Sequence, residues 1–287
     1  YIVSMIAILG WAGCVKDLDQ QPISSLTTQN FYTQPGDFVQ GLNAIYNSLR
    51  TYPDRILNLS ETRSDNLYAV SDGGVRDWEG INSFHKTIAS NPYVIEAWNA
   101  NFTGIYRANE FLQALQDKQG IITDETLRKR YEGEARFLRA FYYFDLVKTF
   151  GRVPVVEKAV TAEEARTIKR SEVAEVYDFI IRDLQFAAEN LPESYAAADR
   201  GRSTRYAAKG ILALVHMMRS APTYNIKGPG LGVNEWQQAL TLLNEIITST
   251  KYSFLPAYKD IFSFTNENNG EVIFDVQYAT GFNPVLG

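Results

Sequence analysis

The chain has 287 residues, 45% hydrophobic and 21% charged, which is ordinary globular composition with length for one or two domains around a sizeable core. A net charge of −5 and the lack of any Lys/Arg run argue against a nucleic-acid footprint, which needs a clustered basic face. A single cysteine, Cys14, excludes an intrachain disulfide and any C-x-x-C metal or redox site, while 17 Tyr, 16 Phe and 4 Trp point to a Tyr/Phe-rich helical core.

The chain opens YIVSMIAILGWAGC. This apolar run falls short of the roughly 20 residues a bilayer span needs and reads as the h-region of an export signal. Ala12-Gly13-Cys14 resembles the end of a bacterial lipobox, although Trp11 stands where an aliphatic residue is usual. Residues 1–14 are therefore expected to be an incomplete lipoprotein signal ending at an acylated Cys14, lacking its methionine and basic start. Multiple acyl chains on that cysteine would anchor it stably. Residues 15–36, polar and turn-rich, read as a tether.

Residues 37–52 carry Val39, Leu42, Ile45, Tyr46 and Leu49 at helical spacing, with Pro53 as a stop. Residues 58–92 hold no period and are rich in Gly, Asp, Asn and Ser, so they read as a long loop of the kind that carries function. Helix returns at 93–117, with Trp98, Phe102, Ile105, Tyr106, Asn109 and Leu112 on one face. The next helix runs from about Asp124 to Phe150, with Gly151 suited to the position after its end and Pro154 blocking continuation. Its segment 134–150 interleaves rings with arginines and an aspartate. Phe137, Phe141 and Phe144 are placed to face one neighbour, and Leu138, Tyr142 and Leu146 another.

Residues 153–156 read as a short extended piece. A helix at 171–191 follows, with Ser171 as N-cap and Glu172 and Glu175 near its positive end. Helices at 203–220 and 234–250 flank the Gly/Pro loop YNIKGPGLG, and Asn234 with Gln237 approximates a capping box. The stretch 270–278, GEVIFDVQY, alternates like a strand. Pairing 124–150 with 171–191, and 203–220 with 234–250, gives tetratricopeptide-like units. The fold class expected is thus mainly all-α: helical repeats with long irregular loops and few short strands.

Signatures of catalysis are sparse. His216, in LALVHMM, reads as a satisfied core or interface residue, and His85 lies alone in the loop. No H-E-x-x-H, G-x-S-x-G or P-loop occurs, GPGLG lacks dinucleotide-fingerprint spacing, and no spacing selects a glycosidase carboxylate pair. The 58–92 loop offers a different chemistry. Arg63, Asp65, Asn66, Tyr68, Arg76, Asp77 and Trp78 combine flat rings with planar polar groups, and sugars need both, the first for their C–H faces and the second for their hydroxyls. The alternative is a solvated loop held down by Trp78.

Several segments in order resemble the SusD-like (RagB-like) surface lipoproteins of glycan-utilisation systems. WNANFTGIYRAN (98–109) is similar to the family's Trp…Tyr…Ala-Asn helix, and EARFLRAFYYFDLVKTFGRVP (134–154) resembles its central signature along nearly the whole length. GRSTRYAAKGILALV (201–215), WQQAL…KYSFL (236–255) and FTNENNGEVIFDVQY (264–278) are similar to later segments, and Lys16-Asp17 after Cys14 suits surface export.

The resemblance implies a tetratricopeptide-like scaffold at 37–287 with a loop-rich insertion at 58–92, on the external face of a Gram-negative outer membrane. It implies non-catalytic capture of oligosaccharide or another nutrient, a SusC-like TonB-dependent porin as partner, and anchoring through lipidated Cys14. No cofactor is expected, no residue is assigned to a metal, and the charge argues against nucleic acid. Family members are longer, so a C-terminal part is expected to be missing. The family's Asp-bearing loop matches SETRSDN in type, which places Asp65 and Asn66 first as ligand contacts. Arg76, Trp78 and Tyr68 join them on chemistry, and Trp98 reads as core. Two other readings stand beside this one: a protein-interaction or peptide-binding repeat scaffold, and an all-α carbohydrate-active hydrolase.

Overall fold

The computed structural model describes residues 31–68, 76–84 and 88–278. Within them the chain forms α1 (Pro35–Asn47), α2 (Tyr52–Leu59), α3 (Asp77–Asn82), α4 (Pro92–Asp117), α5 (Glu125–Phe150), α6 (Ala162–Thr167), α7 (Val173–Asn190), α8 (Arg205–Ser220) and α9 (Trp236–Thr248), with short 3-10 turns between them. The described residues contain no β-strand, so the few short strands expected are not found there. Segment 270–278 does alternate: Val272, Phe274 and Val276 are half-buried while Ile273, Asp275 and Gln277 are exposed. It has the burial pattern of a strand, but no neighbouring strand to pair with among the described residues.

The helices α4, α5, α7, α8 and α9 pack each on the next in chain order, the nearest-neighbour stacking of a helical-repeat array. Both expected pairs form, and α4 extends the stack on the other side of α5. Caps set the boundaries. Asn91 accepts from the Tyr93 N–H at 3.0 Å, with Pro92 at the first helical position. Asp124 accepts from Thr126 and Leu127 at 2.9 and 3.1 Å.

Gly151 ends α5 at φ +67°, and a Cβ there would lie 2.4 Å from the Lys227 carbonyl oxygen; the position needs glycine for conformation and for space. Two caps differ from expectation. Glu172 rather than Ser171 precedes α7, its N–H donating to Glu175 Oε2 at 2.9 Å. Glu235 precedes α9, with no Asn234 capping box.

Pro53 opens α2 rather than ending α1. Proline is tolerated in the first turn because its missing N–H would have no partner there, and α1 has already stopped at Asn47. Tyr32 is buried against Phe38 and Phe111, so the segment just before α1 is tied into the core.

α5 is the central column. Phe137, Leu138, Tyr142, Tyr143, Leu146 and Val147 are fully buried, and burial of each large apolar side chain contributes about 1.5–3 kcal/mol. At Gly104 of α4 a Cβ would fall 2.4 Å from the Tyr142 ring, so the missing side chain lets the ring lie against the α4 backbone. The same Tyr142 donates its hydroxyl to the Ile45 carbonyl at 2.6 Å, pinning α1.

The arginines and acids threaded among the rings form buried networks. Glu134, fully buried, accepts from Tyr46 at 2.9 Å, Arg130 at 3.0 Å and Arg202 at 3.2 Å. His216 joins the interface as expected, its Nδ1 2.8 Å from Glu235 Oε2, an oxygen it shares with Arg219.

The last helix pair is apolar on its outer side as well. Leu214, Leu240 and Leu243 are exposed, as is Ile247 at 72%. Leu214, Leu243 and Ile247, together with Tyr52, Phe141, Phe274 and Tyr278, line an apolar groove of about 1010 Å³. No described helix is long and apolar enough to cross a membrane.

Candidate functional site

The segment expected to be structureless at 58–92 contains real elements. A 3-10 turn at Glu61–Arg63 and the short helix α3 stand against α2 and α4. Six residues are too few to show a helical period, which is why α3 escapes the sequence pattern. The lobe has a small core of its own, with Leu59, Ile81 and Ala97 buried and Ile88, Tyr93 and Phe150 packed around them.

Two asparagines hold the lobe in place. The Asn82 amide, at the end of α3, donates to the carbonyls of Thr62 at 2.8 Å and Leu67 at 2.9 Å. The Asn91 amide donates to the Asp77 carbonyl at 2.7 Å while its oxygen caps α4. The outgoing segment of the loop, the short helix and the long helix are thus joined through side chains. Sequence reading passed over both residues as part of a polar background, although Asn directly before Pro92 is a cap signal.

The expected contact residues fall into two groups across this latch. Asp65, Asn66 and Tyr68 lie on the outgoing segment, all exposed, with Tyr68 at 86%. The Asn66 N–H donates to Ser64 Oγ at 3.2 Å, fixing the turn, and neither Asp65 nor the Tyr68 hydroxyl forms a hydrogen bond with a described residue. Arg76 and Trp78 open α3 on the other side. Trp78 is half-buried, and the exposed Arg76 guanidinium lies 5.8 Å from the centre of its ring, within cation–π reach. Asn82 brings the two segments together. Cys14 and His85 lie outside the described residues.

A second polar set, missed in the sequence, seats α2 beneath the lobe. Arg55 is buried and donates to Asn101 Oδ1 at 3.3 Å, and Asn101 donates to Asp145 Oδ2 at 2.8 Å. Burial first, and the Asp145 charge second, push the neighbouring Tyr52 phenol well above its ordinary value. Trp98 packs against Phe102 and Phe150 at 4.7 and 5.3 Å, in keeping with its reading as core. No group of three His, Cys, Asp or Glu side chains among the described residues is placed to hold a metal.

The chain matches the SusD-like family model described as starch-binding and associating with the outer membrane, over residues 17–217. It is 26% identical over 286 residues to SusD-like protein P25 of Formosa agariphila, an alignment covering 97% of this chain and 51% of that one. A SusD-like protein of Bacteroides fragilis superposes with a TM-score of 0.70 at 27% identity, over 92% of this chain and 48% of that one. A laminarin-binding SusD-like protein does so with a TM-score of 0.70 at 26% identity, over 85% and 51%. The chain spans about half the length of these relatives.

Proposed function

Because the chain belongs to the SusD-like family, we propose that it captures glycan at the outer-membrane surface and delivers it, uncleaved, to a SusC-like TonB-dependent porin, held there through a lipidated Cys14. One observation carries the glycan part. The latched lobe offers an exposed tyrosine, a half-buried tryptophan with its own arginine, and free Asp and Asn side chains on two segments that Asn82 joins. Aromatic faces and planar polar groups held by a scaffold suit a sugar ring, and joining the two segments in advance lowers the cost of binding. A related structure that binds laminarin supports the same class of ligand.

The experiment is affinity electrophoresis of the purified chain through gels containing plant, host and microbial polysaccharides, with chromatography of each glycan after overnight incubation. Retardation by one class without shorter products supports capture, whereas shorter products would support the hydrolase reading. The apolar groove on α8 and α9 supports a second reading, docking of a protein partner. Co-purification with a porin and no glycan retardation would favour that one.

A further inference from the structure

Away from the latched lobe, α4, α5 and α7 enclose a polar cleft of about 550 Å³, a volume that suits a small ligand. Each carboxylate in it already has a cation. Glu132 is held by Arg136 at 2.6 Å, Asp183 by Arg139 at 2.7 Å and Arg136 at 3.2 Å, and Glu157 by Arg182 at 3.1 Å. Two further cations line the same cleft, Arg128 and Lys158, and neither forms an ion pair with a described residue. Glu125, one turn before Lys129 and near Arg128, is held by Lys129 at 2.9 Å. Glu164, within the field of Lys158, is held by the Thr161 amide and hydroxyl.

The cleft therefore carries a local cationic excess in a chain whose net charge is −5, and low-dielectric walls focus such a field on whatever enters. Gln116 and Gln119 stand on the α4 side, exposed and without a hydrogen bond to any described residue. A carboxamide offers donor and acceptor together, as a sugar hydroxyl requires.

We propose that this cleft is a subsite for an acidic saccharide, with Arg128 and Lys158 holding a carboxylate or sulfate ester and Gln116 and Gln119 meeting the hydroxyls. The proposal rests on the glycan-capture reading above and adds the charge of the ligand. The cleft recognises by charge and not by stacking, because its one ring, Phe179, is buried and covered by Arg139 and Arg182 at 4.8 and 5.4 Å. In the lobe around Trp78 a ring is the main feature instead.

The test is calorimetric titration of the purified chain with oligogalacturonate, a sulfated galactan oligosaccharide and a neutral β-glucan oligosaccharide, at low and high salt. At least one acidic ligand should bind, more weakly in high salt. Its affinity should fall about tenfold or more in Arg128→Gln and in Lys158→Gln, with Arg128→Lys recovering part of the loss. These residues hold no ion pair with a described residue, so the variants should keep the parent's circular dichroism, and any affinity for the neutral ligand should not change. Binding of oligogalacturonate alone would assign the carboxylate, and binding of the galactan alone the sulfate ester. Unchanged affinity in both Gln variants would overturn the proposal. Binding of the neutral ligand alone would overturn it and leave glycan capture standing. Binding of none of the three would overturn it, and retardation in the polysaccharide panel would then decide separately whether glycan capture survives.

Discussion

Arg139 grips Asp183 through two parallel hydrogen bonds, Nε to Oδ2 at 2.7 Å and Nη2 to Oδ1 at 2.9 Å, with both side chains buried. Arg139 Nη1 donates to Asn109 Oδ1 at 2.7 Å and to the Glu157 carbonyl at 3.1 Å, so one guanidinium ties α5 to α7 and to α4. Removing one partner leaves a buried charge without its counter-charge. Asp183→Ala should therefore cost about 3–5 kcal/mol, seen as a lower urea midpoint with unchanged slope. The double variant Arg139→Met/Asp183→Leu should cost clearly less than the two single changes added together. Strict additivity would mean that the pair is not coupled.

Asn82 and Trp78 are expected to act differently on the same ligand. Trp78→Ala removes contact surface and should weaken glycan retardation by about 1 kcal/mol or more, leaving backbone exchange in 61–68 as it was. Asn82→Ala removes the latch, so amide exchange across 61–68 should accelerate and retardation should weaken as a consequence. Full retardation of the Trp78 variant would take that ring out of the site, and unchanged exchange in the Asn82 variant would show that the loop is held by something else.

Alkaline pH should unfold the chain cooperatively. Burial pushes the phenols of Tyr46, Tyr142, Tyr143 and Tyr177 well above their ordinary value, and burial with the Glu110 charge pushes Tyr32 up to about 12. The unfolded chain releases these protons near pH 10 while the folded chain retains them, so stability falls as pH rises above about 10. Phenolate absorbance should then rise together with loss of helical circular dichroism. A phenolate rise completed while helix content stays constant would contradict the burial.

At Gly151 the positive φ and the nearby Lys227 carbonyl act together. Gly151→Ala should lose about 1–3 kcal/mol in chemical denaturation. Gly120→Ala, where a Cβ meets nothing within 4 Å, should stay within about 0.5 kcal/mol of the parent. Equal effects at the two positions would rule out the steric account.

The long helices were legible because their signals are local. Asp124 and Gly151 bracket α5, and repeated apolar spacing needs only a few turns to show itself. Pro53 misled because proline favours both the residue after a helix and the first turn of the next, and only the backbone distinguishes them. α3 was too short for a period, and the outward alternation of 270–278 predicted burial correctly without a partner strand to match. In the candidate site the exposed residues could be named from chemistry. The latch could not, because Asn82 acts on carbonyls 15 and 20 residues away, and that geometry arises only after α3 has folded back.

The stack also has a direction. α5 has helices on several sides, whereas α9 rests chiefly on α8 and buries only Ala239 and Ile246. In a nearest-neighbour array, the element with fewest neighbours opens first and the others follow in order. The chain therefore comes apart from one end, and amide protons in α9 should exchange well before those in α5. A partner seated over Ile247 and its neighbours would cap that sequence of openings and lengthen the time the repeat stays closed.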